Sequence, residues 1–196
     1  MVAAARMRRS QMSILAARPF AVKMERLVGD LAGLEVRADI AAGREVQVHG
    51  FFDQRAGDAV ALVLVTADKG LCGAFNSNLI KAAIEWLKAN EGKKVYVAVV
   101  GRKGREFLHR LRGCDLEMLS EIAGIFPKVN FSHAELLGKA VIDAYEGKQL
   151  SSVTVLYNEF KSVAVQRLVK TTLLPIRTPE AAPEGAVSEY GFEPER

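Results

Sequence analysis

Two apolar, β-branched runs, Ala59–Val65 and Val95–Val100, flank a segment of helical spacing, and that order restricts the chain to folds built from β-α-β units. The intervening segment, 78–90, places Leu79, Ile80, Ala83, Ile84 and Leu87 on one face, with Gly92 just beyond its end. A second helix is predicted over Arg102–Arg112 and a weaker third strand over Leu116–Ile122. Ser132 and Glu135 have the spacing of a capping box for a further helix reaching about Glu146, where Gly147 stops it. Val153–Asn158 reads as the fourth strand. After a turn at Glu159–Ser162, Val163–Leu174 reads as its antiparallel hairpin partner. The expectation is an α/β fold: a Rossmann-like, mostly parallel five-stranded sheet with flanking helices and right-handed crossovers.

Ahead of this pattern, Met12, Leu15, Ala16, Phe20, Met24, Leu27, Val28, Leu31 and Leu34 recur at three- and four-residue spacings, the stripe of a long amphipathic helix. Pro19 lacks a backbone donor and crowds the turn before it, so a kink or short break is expected there. Nothing that follows supplies a partner for this stripe. The chain is accordingly divided into a helix over 1–38, an α/β domain over 39–174 that opens with a turn-rich loop over 39–58, and a linker over 175–196. That last stretch holds four of the six prolines, with five glutamates and two glycines.

The basicity is local. Residues 1–26 carry Arg6, Arg8, Arg9, Arg18, Lys23 and Arg26 against Glu25 alone, although the whole chain of 196 residues has a net charge of only +4. Such a segment suits nucleic acid, anionic lipid or an acidic protein surface. An arginine-rich start also has the composition of a mitochondrial transit peptide, but the apolar spacing continues unbroken past residue 24. The longest apolar run, Ala59–Val65, falls far short of the roughly 20 residues that span a bilayer, so no direct membrane insertion is expected.

A sheet of this type raises nucleotide binding, which the turn after the first strand tests. It reads Thr66-Ala-Asp-Lys-Gly-Leu-Cys-Gly-Ala-Phe-Asn76 and contains neither G-x-G-x-x-G nor G-x-x-x-x-G-K-[ST]. Cys72, flanked by small residues near a helix start, is a candidate nucleophile with no histidine nearby in sequence; a small structural or interface thiol is the plainer reading. Asp68, Lys69, Gly70 and Gly73 are sufficiently explained by a tight turn. Cys72 and Cys114 have no metal-ligand spacing, and His49, His109 and His133 are scattered singly, so neither a metal nor another cofactor is expected. Arg102, Lys103, Arg105, Arg110 and Arg112 read as the solvated face of a helix, without the aromatic interleaving of a single-strand binder. His109 reads as a surface residue, His133 as structural and Trp86 as packing.

The segment from Thr66 to Asn76 is similar to the motif T-[SD]-[DE]-[RK]-G-L-C-G-G-[LF]-N of the gamma subunit of rotary ATP synthases. Met1-Val-Ala-Ala-Ala-Arg-Met-Arg-Arg-Ser-Gln11 and Arg18-Pro19-Phe20 resemble the N-terminal helix of that family. Tyr157-Asn158-Glu159-Phe160, Leu173-Leu174-Pro175 and Tyr190-Gly-Phe-Glu-Pro194 fit in the same order along the chain. Ala74 stands where the family has a second glycine, a change that is harmless unless φ is positive there. The close cysteine pair of the chloroplast relatives is absent, and thiol regulation is not expected.

The resemblance implies a non-catalytic rotor shaft of the proton-translocating ATP synthase. Such a subunit couples proton flow through the membrane ring to ATP synthesis at sites that belong to the beta subunits. It implies alpha, beta and epsilon subunits and the membrane c-ring as partners, and a peripheral position on the cytoplasmic face of a bacterial membrane or the matrix face of mitochondria. Carried over residue by residue, Lys69, Leu71 and Cys72 approach the beta subunits, while Arg6, Arg8 and Arg9 face acidic loops of the ring of alpha and beta subunits. Tyr190, Phe192 and Glu193 would sit at the foot, against epsilon and the c-ring. The N-terminal helix would be half of an antiparallel coiled coil, in a chain truncated at both ends. The competing readings are a nucleotide- or Cys-dependent Rossmann-like enzyme and a nucleic-acid module acting through the basic helix.

Overall fold

The computed structural model describes residues 2–41, 43, 49–111, 113, 115–126, 128–147, 150–162 and 165–176. The chain divides into two compact units, with a boundary between Phe52 and Asp53. The first contains one 40-residue helix, α1 (Val2–Ala41). The chain does not break at Pro19: the proline lies inside a continuous helical segment. Met12, Leu15, Phe20 and Met24 of the apolar stripe are exposed, whereas Leu27, Val28, Leu31 and Leu34 are half-buried, so only its N-terminal part lies open.

The second unit, Asp53–Ile176, is an α/β domain with the order β1 (Ala59–Val65), α2 (Phe75–Ala89), β2 (Lys94–Val100), α3 (Arg102–Arg110), β3 (Leu116–Ile122), α4 (Phe131–Gly147), β4 (Ser152–Phe160) and β5 (Gln166–Leu174). The sheet runs β3-β2-β1-β4-β5. β1 pairs in parallel with β2 and β4, β2 pairs in parallel with β3, and β5 alone is antiparallel, against β4. The expected mostly parallel, five-stranded Rossmann-like sheet is therefore what forms. Strand order reverses at β1, the topological switch of a doubly wound sheet.

Alternation along β1 sorts the two faces. Val60, Leu62 and Leu64 stand in register with Val95, Val97 and Val99 of β2 and pack with Leu79, Ala83 and Trp86 of α2 and Leu108 of α3. Ala61, Val63, Tyr96 and Ala98 point the other way; right-handed crossovers place α4 on that side, where it buries Val141, Ala144 and Tyr145. A run apolar at every position is what burial on both faces requires. Truncating Leu62 or Leu64 to alanine in such a setting costs about 2–5 kcal/mol. The outlying β5 is different: its residues before Leu174 are exposed or half-buried, with Arg167 and Lys170 among them.

Element ends differ from expectation in α2, α4 and β4. α2 begins at Phe75, three residues before the predicted start, because Asn78 N–H already donates to Ala74 O at 2.9 Å. α4 begins at Phe131, which puts Ser132 inside the first turn rather than at the cap. His133, not Glu135, reaches back: its Nδ1 accepts the Asn130 N–H at 3.0 Å. β4 extends through Phe160, into the predicted turn.

The junction of β1 with α3 is the tightest place in the domain. The Thr66 hydroxyl donates to Val100 O at 3.2 Å and accepts the Gly104 N–H at 2.8 Å, with the side chain buried. Gly101 has φ +97° and presses against the Thr66 carbonyl, and a Cβ at Gly104 would lie 2.8 Å from Val99 Cγ2. Only glycine satisfies both a left-handed backbone and such a close approach. Gly101→Ala is expected to destabilise the domain by more than about 3 kcal/mol. Gly138→Ala, in open space on helix α4, should instead stabilise by about 0.5 kcal/mol. Urea midpoints of the two variants and the parent chain measure both.

Candidate functional site

The turn 66–74 between β1 and α2 lies at the C-terminal end of the central strand, where a doubly wound sheet places its functional loops. Its apex is unusual. Leu71 has φ +59°, a conformation that costs a leucine about 1 kcal/mol or more, and its side chain is fully exposed at 110% of the reference value. A strained backbone that presents a bare apolar side chain to water serves neither packing nor solubility.

Asn76 holds this apex from within. Its Oδ1 accepts the Ala67 N–H at 3.0 Å, and its Nδ2 donates to Lys69 O at 3.3 Å and to Cys72 Sγ at 3.1 Å. The Phe75 N–H closes the turn onto Cys72 O at 3.3 Å. Gly73 supplies a second left-handed position at φ +58°, whereas Ala74 has φ −81°. The alanine at the family's second glycine is therefore unstrained.

Asp68 anchors the base of the turn. Its Oδ1 accepts Arg102 N–H at 2.9 Å and Gly124 N–H at 2.8 Å, and its Oδ2 accepts Phe126 N–H at 3.2 Å. Burial by itself pushes this carboxyl up, but the backbone donors of Gly124, Phe126 and Arg102, aided by the Arg102 guanidinium, prevail and hold it below the ordinary carboxylate range. One carboxylate thus joins the β1–α2 turn, the start of α3 and the loop after β3. Sequence reading explained Asp68 by turn geometry alone. Its long-range partners, 34 to 58 residues away, leave no local signal.

The first three N–H groups of α3 are all taken within the chain: Arg102 by Asp68, Lys103 by Ala67 O at 3.1 Å and Gly104 by Thr66. That helix start consequently has no donors left for a phosphate. Among the described residues, no group of three or more His, Cys, Asp or Glu side chains is placed to hold a metal ion, and no helix is long and apolar enough to cross a membrane.

The structure brings Lys69, Leu71 and Cys72 together on one exposed loop. Arg6, Arg8 and Arg9 lie exposed along the N-terminal part of α1. Tyr190, Phe192 and Glu193 lie outside the described residues. The Tyr157–Phe160 segment is structural: Asn158 Nδ2 donates to Phe75 O at 3.2 Å, and Glu159 bridges Lys161 at 3.2 Å and its register partner Arg167 at 3.0 Å. His109 is exposed but meets Glu121 at 2.7 Å, a contact between α3 and β3 that periodicity did not reveal.

These features define a class: a doubly wound α/β domain on the same chain as a long helix, with a stiffened loop showing an apolar tip to solvent. The family model described as ATP synthase matches residues 1–196. The ATP synthase gamma chain of Elusimicrobium minutum is 34% identical over 196 residues, covering 98% of this chain and 64% of the relative. That of Sorangium cellulosum is 34% identical, covering 100% of this chain and 68% of the relative. A cryo-EM structure of the Tetrahymena thermophila mitochondrial ATP synthase, central stalk and c-ring, aligns with a TM-score of 0.51 and 25% identity, covering 78% of this chain and 71% of that one. The chain belongs to the ATP synthase gamma chain family. It spans about 64% of the length of the first curated relatives it matches.

Because folding depresses the Asp68 carboxyl, the unfolded chain holds that proton more tightly than the folded one. The stability it contributes is complete above about pH 4, the ordinary carboxylate value, and is lost as pH falls through the lower folded value. Asp68→Asn is expected to cost about 2 kcal/mol at neutral pH. It should also flatten the fall in stability below pH 4, as read from urea midpoints between pH 7 and pH 2.

Proposed function

We propose that this chain is the shaft portion of the central rotor of a proton-translocating ATP synthase. It couples proton flow through a membrane ring to ATP synthesis at sites on the beta subunits and carries no catalytic residue of its own. The observation that carries this reading is the collinear similarity to gamma chains along the whole of residues 1–196. The shaft helix of the 1–38 division runs on to Ala41, the domain body ends with β5 at Leu174, and 175–196 lead toward a second helix that pairs with the first as an antiparallel coiled coil. The exposed apolar side chains of α1 support the pairing, since they need a cover.

The partners in this reading are the alpha, beta and epsilon subunits and the c-ring, at the cytoplasmic face of a bacterial membrane or the matrix face of mitochondria. A shaft acts by differential contact: it shifts a catalytic site between states only by touching those states unequally. Lys69, Leu71 and Cys72 are the contact toward the beta subunits. Arg6, Arg8 and Arg9 face acidic loops of the head, with exposed pairs each worth less than about 1 kcal/mol that steer and set register. Tyr190, Phe192 and Glu193 form the foot, against epsilon and the c-ring. A nucleotide-binding enzyme is disfavoured by the missing phosphate motifs in the turn after β1.

Two variants of the complete gamma chain, assembled with alpha and beta subunits, test the reading. Leu71→Ala is expected to weaken association about three- to tenfold. Combined reversal of Arg8 and Arg9 to glutamate should weaken it further at low salt than at high salt. Association measured by sedimentation or fluorescence titration that ignores both changes, or a complete chain with no affinity for the head, would sink the proposal.

A further inference from the structure

We propose that Asn76 is a positioning residue: its carboxamide clamps the Lys69–Cys72 apex so that Leu71 meets its partner already in the docking conformation. The inference rests on the docking role of this loop proposed above and adds the residue that makes the loop rigid. Three observations meet at this side chain. The Asn76 carboxamide spans the loop, accepting from Ala67 at one end and donating to Lys69 O and Cys72 Sγ at the apex. The apex it holds contains two left-handed residues, Leu71 and Gly73, of which leucine takes that conformation only when its surroundings impose it. The Leu71 side chain has no cover of its own to fix it, being fully exposed.

A loop with that much backbone cost and no side-chain burial would relax without an internal brace. Ordering a floppy loop on binding weakens association, and a loop ordered beforehand avoids that loss. Asn76 is suited to the task because one planar amide offers an acceptor and two donors in fixed directions. Asp retains the acceptor for Ala67 but turns a second oxygen toward Lys69 O, so Asn76→Asp separates the two halves of the clamp. The Phe75–Cys72 turn is closed by backbone atoms and does not use the Asn76 side chain.

The test uses the complete gamma chain with three variants, Asn76→Ala, Asn76→Asp and Leu71→Ala, and the double variant Asn76→Asp/Leu71→Ala. Trypsin scission of the Lys69–Gly70 bond, followed by mass spectrometry, reports local release. Both Asn76 variants should be cut there at least about fivefold faster, with urea midpoints showing the domain still folded. Asn76→Asp should weaken association with the assembled alpha–beta head about three- to tenfold, and the double variant should lose little more than either single one. A merely structural asparagine would lower the urea midpoint without this non-additivity. Unchanged cleavage at Lys69, or additive losses in the double variant, overturns the clamp. Leu71→Ala binding as well as the parent overturns the docking role itself, and the cleavage rate then decides separately whether Asn76 braces the loop.

Discussion

The carboxylate of Asp68 is the constraint on which the functional end of the domain depends. Three segments far apart in sequence, the turn after β1, the start of α3 and the loop after β3, would otherwise be three separate loops above a sheet. A charged acceptor makes stronger hydrogen bonds than a neutral one, and here it meets three backbone donors with little water to compete. The Thr66 hydroxyl beside it does the same for Val100 and Gly104. The result is a firm floor from which the Lys69–Gly73 apex rises.

That floor also explains how a Rossmann-like sheet carries a gamma chain's loop where nucleotide enzymes carry a phosphate site. In those enzymes, backbone N–H groups at a helix start are kept free for the ligand. In this chain, side chains and carbonyls of the neighbouring turn satisfy the donors of α3, and the turn after β1 presents an apolar residue outward. The architecture is shared, but the turn after β1 lacks the glycine pattern of a phosphate loop and carries an exposed leucine at its apex.

The fold was legible because its signal is local and periodic. Ala59–Val65 and Val95–Val100 are apolar at almost every position, as burial on both faces demands, and the single helix between them is amphipathic. The chemistry of the loop was legible only in part. Lys69, Leu71 and Cys72 came from motif similarity, whereas the left-handed backbone at Leu71 and the grip of Asn76 depend on geometry that no spacing rule encodes. Gly101 and Gly104 went unremarked for a related reason: what makes them indispensable is Thr66, more than thirty residues earlier. The histidine that caps α4 was seen as structural, but its particular bond replaced the Ser–Glu pattern because the helix begins at Phe131.

The outermost strand has a consequence for how the domain behaves in a crowded solution. Among the described residues, β5 has a neighbour in the sheet on one side only, and such an edge invites another molecule's strand to zip alongside. Arg167 and Lys170 stand on that strand, and pairing with another strand would strip these charges of water. The charged border thus discourages a further strand from adding at β5.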